Sequence, residues 1–145
     1  MGTKVRDVMS ERPRAIASDA TVLEAAEIME QEDIGSVPVL EGDRLAGIVT
    51  DRDIAVRAVA KGKDPRGMAI REITTREVVT IGPDEDLSEA LKLMASYQVR
   101  RIPVIDDEER LVGVLAQADV AQEAKDKTVG GMVEDISKPA PGPRT

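Results

Sequence analysis

Ser36-Val37-Pro38-Val39-Leu40, then Leu45-Ala46-Gly47-Ile48-Val49-Thr50-Asp51-Arg52-Asp53-Ile54, is echoed later in the chain. The echo reads Arg101-Ile102-Pro103-Val104-Ile105, then Leu111-Val112-Gly113-Val114-Leu115-Ala116-Gln117-Ala118-Asp119-Val120. Pro38 maps to Pro103 at an offset of 65, whereas Gly47 and Asp53 map to Gly113 and Asp119 at 66. One residue is therefore inserted between the two strand signals of the second copy. An internal repeat decides the architecture before any local reading does. Working outward, Arg6, Ile16, Asp19, Glu24, Ala25 and Met29 match Arg71, Ile81, Asp84, Glu89, Ala90 and Met94. Units of about 60 residues are marginal alone, because so short a chain buries too little surface. The halves are expected to pack on each other around a pseudo-two-fold axis.

Composition narrows the function classes. The chain has 145 residues, 41% hydrophobic and 33% charged, as expected of one soluble globular domain. It has no apolar run of membrane-spanning length and no charged-then-apolar leader, so the expectation is a cytoplasmic protein with no membrane partner. Histidine and cysteine are both absent. That removes ordinary zinc sites, Ser-His and Cys-His nucleophiles and the imidazole base. A net charge of −8 and a single aromatic, Tyr97, argue against a nucleic-acid partner. Phosphate-backbone binding needs clustered Lys and Arg, and single strands need aromatic stacking platforms.

Each copy reads as β-α-β-β-α, an α/β (α+β) pattern whose sheets bury one face under helices. Short β-prone stretches, 14–17 and 78–81, open the copies. Thr21-Val22-Leu23-Glu24 and Asp86-Leu87-Ser88-Glu89 carry the capping-box spacing that starts a helix. Val22, Ala25, Ala26 and Met29, then Leu87, Ala90, Leu91 and Met94, follow at helical spacing, and core packing is the plain meaning of such stripes. Strands are predicted at 36–40, 45–49, 101–105 and 111–115, with second helices at 51–60 and 117–126. The acidic run Asp106-Asp107-Glu108-Glu109 could hold a metal on paper, but a solvated turn explains it without one. The boundaries are a first repeat with linker at 1–68, a second at 69–127, and a short helix with a mobile tail at 128–145. Val129, Met132, Val133 and Ile136 suggest that short helix.

The best candidate for chemistry is Gly47-Ile48-Val49-Thr50-Asp51-Arg52-Asp53. A strand ends at Thr50 and a helix starts, a corner where free N–H groups and a hydroxyl can meet a phosphate. Asp53, one turn on, could accept hydrogen bonds from the vicinal hydroxyls of a ribose. The structural alternative is as simple: Thr50 as an N-cap and Asp53 offsetting the helix dipole. In the second copy Ala116 has lost the hydroxyl while Asp119 remains, which favours a role for the aspartate beyond capping. Arg100-Arg101, opposite Gly35-Ser36 of the first copy, are either solvated and paired or permanently charged phosphate donors.

These residues resemble the CBS domain pair, or Bateman module. The resemblance covers residues 4–125 and rests on the doubled β-α-β-β-α order, on Val37-Pro38 and Ile102-Pro103, and on the 47–53 motif. A closer likeness to free-standing members is carried by Asp33-Ile34-Gly35, Thr50-Asp51-Arg52-Asp53 and Gln98-Val99-Arg100-Arg101. The resemblance implies a non-enzymatic sensor with two clefts, often holding AMP, ADP, ATP or another adenosyl compound, and with no catalytic residues, metal or required cofactor. By that pattern Thr50 and Asp53 would work with Thr80, Ile81, Arg101, Ile102 and Pro103 in a first cleft. Asp119 would work with Ile16, Ser36, Val37 and Pro38 in a weaker second one. The family pattern further implies a homodimer and a protein partner that reads the ligand state. A structural module for dimerisation and protein interaction, with vestigial clefts, is the alternative.

Overall fold

The computed structural model describes residues 2–127, so the expected helix and tail beyond Lys127 lie outside the described residues. Within them the chain divides into two compact units. One comprises residues 14–78 with 108–111, and the other, among the described residues, 2–13, 79–107 and 112–127. These units are not simply the two sequence repeats. The stretch that leads into each repeat, here called its leader, belongs to the unit built from the body of the other repeat.

In the 14–78 unit, β2 (Ile16–Ala17) lies parallel to β3 (Ser36–Glu41), and β3 is antiparallel to β4 (Arg44–Thr50). The hairpin closes on Gly42 and Asp43, with Gly42 at φ +68°, a left-handed conformation that glycine adopts at little cost. Helix α1 (Val22–Glu32) starts at Thr21, whose hydroxyl accepts the Glu24 N–H, and ends at Asp33 with φ 56°. Its buried stripe of Val22, Ala25 and Met29 packs with Val37, Val39 and Val49 from the sheet. Helix α2 (Asp51–Asp53) continues as a π-helical segment over Ile54–Val59, where the periodicity predicted one regular helix. The free edge of β4 is then taken by the leader of the second repeat. Ile48 and Thr75 exchange both backbone hydrogen bonds, each 2.9 Å.

The other unit repeats this plan. β1 (Ser10–Glu11) is antiparallel to β6 (Leu111–Ala116), and β6 neighbours β5 (Arg101–Ile105). Ser10 faces Val114 as Thr75 faces Ile48, so each leader pairs with the last strand of the opposite repeat body. Helix α3 (Leu87–Tyr97) ends at Gln98 with φ 55°, matching Asp33, and α4 spans Gln117–Lys127. The stretch 78–81 forms no strand; it contributes a single parallel bridge, Ile81 to Val104. That bridge uses the Pro103 carbonyl and the Ile105 N–H and asks nothing of a proline N–H. The hydrophobic-Pro strand is tolerated for that reason, since a proline costs a sheet only where its missing donor was needed.

Two expectations are corrected. Asp86 is the N-cap residue of α3 but its side chain makes no capping bond. Its carboxylate instead takes the Lys4 ammonium at 3.0 Å, a charge-assisted partner that sequence spacing could not foresee. Leu91 is 45% exposed and leaves the core stripe, lining with Leu87, Val120 and Ala124 a shallow groove of about 240 Å³. The acidic turn 106–109 is engaged with arginines: Glu108 pairs with Arg110 at 3.0 Å and Glu109 with Arg44 at 3.7 Å.

The leaders are structural members of the cores they join. Val5 and Ile70, matched at an offset of 65, are both fully buried, one in each apolar cluster. Their backbones dock alike. Ile70 N–H donates to the Ala20 carbonyl and Arg71 N–H to Ser18, as Val5 N–H does to Glu85 and Arg6 N–H to Pro83. The glycines shared by the repeats mark where a leader crosses. A Cβ on Gly47 would run into the Thr75 carbonyl oxygen and lie 2.6 Å from Thr74 Cγ2. One on Gly113 would meet Met9 Sδ at 2.6 Å and the Ser10 carbonyl at 3.0 Å. Glycine lets two backbones approach this closely.

Candidate functional site: two strand-to-helix corners

The first corner is built by β4 ending and α2 beginning. Thr50 is extended (φ −117°, ψ 164°), and its hydroxyl accepts the Asp53 N–H at 3.0 Å. Asp53 Oδ2 reciprocally accepts the Thr50 N–H at 2.9 Å, so the pair closes a capping box. The same oxygen accepts the Thr75 hydroxyl at 3.4 Å, while Oδ1 faces Arg57 Nε at 3.8 Å. Arg57 also reaches the Ile73 carbonyl at 3.4 Å. Only 13% of the Asp53 side chain is exposed, against half of the Arg57 side chain. The structural alternative for Thr50 and Asp53 is thus realised, and the aspartate does more than cap, because it also meets Thr75 and Arg57.

Thr75 and Arg57 escaped the sequence reading. A signal for Thr75 was present: Ser10 stands 65 residues earlier, so both leaders carry a hydroxyl there. Arg57 is four residues past Asp53, the spacing of a helical ion pair, whereas the second repeat has Glu123 at that place.

The second corner keeps the backbone and loses the side-chain box. Gln117 N–H donates to the Arg100 carbonyl at 2.7 Å, as Asp51 N–H does to Gly35 at 2.9 Å. Ala116 offers no hydroxyl, and among the described residues the half-buried Asp119 carboxylate has no hydrogen-bond or ion-pair partner. Arg101 opens β5 with its side chain exposed, and Ile102 and Pro103 behind it are buried.

The remaining candidates distribute as follows. Ile16, Val37 and Pro38 are buried and Ser36 half-buried, all in the unit of Thr50 and Asp53. Thr80, Ile81, Arg101, Ile102, Pro103 and Asp119 belong to the other unit. There Thr80 and Ile81 line a groove of about 390 Å³ with Gly82, Leu93, Ile105, Glu85, Glu89, Asp106 and Asp107. Four carboxylates make that groove a poor receptor for a phosphate, since like charges brought together cost energy.

A family model described as the CBS domain matches residues 5–59 and again residues 70–126. The chain belongs to the CBS domain family. This CBS pair is 34% identical over 138 residues to Hypoxic response protein 1 of Mycobacterium tuberculosis, covering 94% of this chain and 96% of that protein. The resemblance read from the sequence is therefore to a family that includes this mycobacterial protein. A crystal structure of Hypoxic Response Protein I with two coordinated zinc ions aligns with a TM-score of 0.75 at 36% identity, over 83% of this chain and 98% of that one. The CBS domain pair of protein MJ0100, in complex with 5′-methylthioadenosine and S-adenosyl-L-methionine, aligns with a TM-score of 0.74 at 33% identity, over 88% and 99%. The zinc ions belong to that relative. The present chain has no His or Cys, and among its described residues no group of three or more Asp or Glu side chains is placed to hold a metal. No helix of the described residues is long and apolar enough to cross a membrane.

Proposed function

We propose that this CBS pair is a non-enzymatic cytoplasmic regulatory module that binds an adenosyl compound such as AMP, ADP, ATP or S-adenosylmethionine. The observation that carries the reading is the Thr50–Asp53 box: a hydroxyl and a well-shielded carboxylate locked together at a strand-to-helix corner. The likeness to a CBS pair with two bound adenosyl compounds supports the ligand class. A carboxylate of this kind suits a vicinal diol, which donates two hydrogen bonds to two oxygens.

A thermal-shift series with AMP, ADP, ATP, S-adenosylmethionine and NAD tests the reading, because a ligand that binds only the folded state raises the apparent midpoint. At least one adenosyl compound is expected to raise the midpoint of the wild type and to lose that effect in Asp53→Ala. A flat response across the panel sinks the proposal. Mass spectrometry of whatever small molecule co-purifies provides an independent check.

A second reading is favoured by a different observation. Val56, Val59, Leu91 and Tyr97 are large apolar side chains left exposed, Val59 by 63%. We propose on this ground that the chain also works as a homodimer or protein-interaction module, which sedimentation of the wild type against Val59→Asp would test.

A further inference from the structure

We propose that the Asp53 carboxylate is a latch for the leader of the second repeat, and that a ligand engaging this carboxylate loosens the leader. The second half of this statement rests on the adenosyl-binding reading above. Asp53 holds the leader twice, directly through the Thr75 hydroxyl at 3.4 Å and indirectly through Arg57, which bridges to the Ile73 carbonyl. The backbone is fixed at the same place, where Thr75 pairs with Ile48 and Gly47 leaves no spare room. Low exposure of the Asp53 side chain shields these contacts from water, which makes them worth more than surface ones.

The second repeat is the internal control. Its leader pairs through Ser10 and Val114 in the same register. Among the described residues, however, Asp119 makes no side-chain bond to that leader or to anything else. Glu123 stands where the latch would need the cation of Arg57. Among the described residues, only the first corner therefore ties its carboxylate to a leader.

Both oxygens of Asp53 are already in use. A diol needs them, and the contacts most easily given up are the long ones, Thr75 at 3.4 Å and Arg57 at 3.8 Å, ahead of the Thr50 N–H at 2.9 Å. A ligand moves the leader only through a difference in affinity between latched and unlatched states. Linkage then requires that releasing the latch change ligand affinity by the same factor.

Amide hydrogen exchange on the full chain tests this. Thr75→Val removes the hydroxyl and spares the capping box; Asp53→Ala removes the whole latch. Thr75→Val is expected to speed exchange at Thr75 by about fivefold, the effect of one lost hydrogen bond, and Asp53→Ala by at least as much. Exchange at Ser10 should be unchanged in both, and in Asp119→Ala as well. The core amide of Val37 reports any global loss of fold. Unchanged exchange at Thr75 in either variant overturns the latch. With S-adenosylmethionine or AMP as the probe, faster exchange confined to Thr75 and Ile48 supports the coupling. Binding with no change there overturns the coupling and leaves the binding reading intact. Loosened variants together with no binding to the wild type leave the latch standing and bring the adenosyl reading down.

Discussion

At Thr50 and at Ala116 the same backbone event occurs twice. A strand ends, a helix begins, and the first helical N–H donates to the carbonyl of the residue before the hydrophobic-Pro strand. The side chains then part ways. The first corner has a closed Thr50–Asp53 box tied to Thr75 and Arg57, and its helix runs on as a π-helical segment. The second has Ala116, an Asp119 unengaged among the described residues, and an α-helix through Lys127. One backbone frame thus supports two chemistries, so the frame does not depend on the box. The side chains of the first corner are additions to a fold that stands without them.

The comparison can be broken most forcefully at the leaders. Ile70→Ala is expected to cost about 3–4 kcal/mol and Val5→Ala about 2, measured by urea unfolding, since both side chains are fully buried. A negligible cost at either would mean that its leader is not part of that core. Next come the crossing glycines. Gly47→Ala should destabilise by about 2–3 kcal/mol, because the added methyl meets a carbonyl oxygen in the leader backbone. Gly113→Ala should cost only about 1 kcal/mol, because its nearest obstacle is the flexible Met9 side chain. Equal costs would show that the two crossings are closer to equivalent than their contacts indicate.

Smaller effects sharpen the contrast between the corners. Thr50→Ala should lose about 1 kcal/mol of stability with the cap, whereas Ala116→Thr should gain about 0.5 kcal/mol by building one. Thermal unfolding of both variants checks the pair, and a loss in Ala116→Thr would show that the second corner cannot seat the box. The least effect is expected from Arg6→Ala. Its pair with Asp84 is exposed on both sides, and the matched Arg71 has no ion pair with Asp19 among the described residues. The change in midpoint should correspond to less than about 0.5 kcal/mol and fade with added salt.

Much of this was legible in the residues. Helical stripes, the strands expected at 36–40 and 45–49 and their later copies all follow from local periodicity, which a chain displays whatever its tertiary contacts. The Thr50–Asp53 pair was legible as a cap for the same reason: both partners lie within one turn. Thr75 was not, because it is 22 residues from Asp53 and the hydroxyl it shares with Ser10 does not say what it meets. Nor was the diversion of Asp86 to Lys4, 82 residues away.

By itself, the sequence determined that the chain is doubled, which elements each copy holds, and that the copies differ at Thr50/Ala116. Only the tertiary structure decided that the leaders are exchanged. Ser10–Glu11 and Thr75 are too short and too polar to show a strand in their periodicity. They become sheet edges because an open strand edge offers unpaired backbone groups to whatever chain reaches it. The matched glycines were visible as letters. Their reason is a backbone crossing that exists only once the chain has folded.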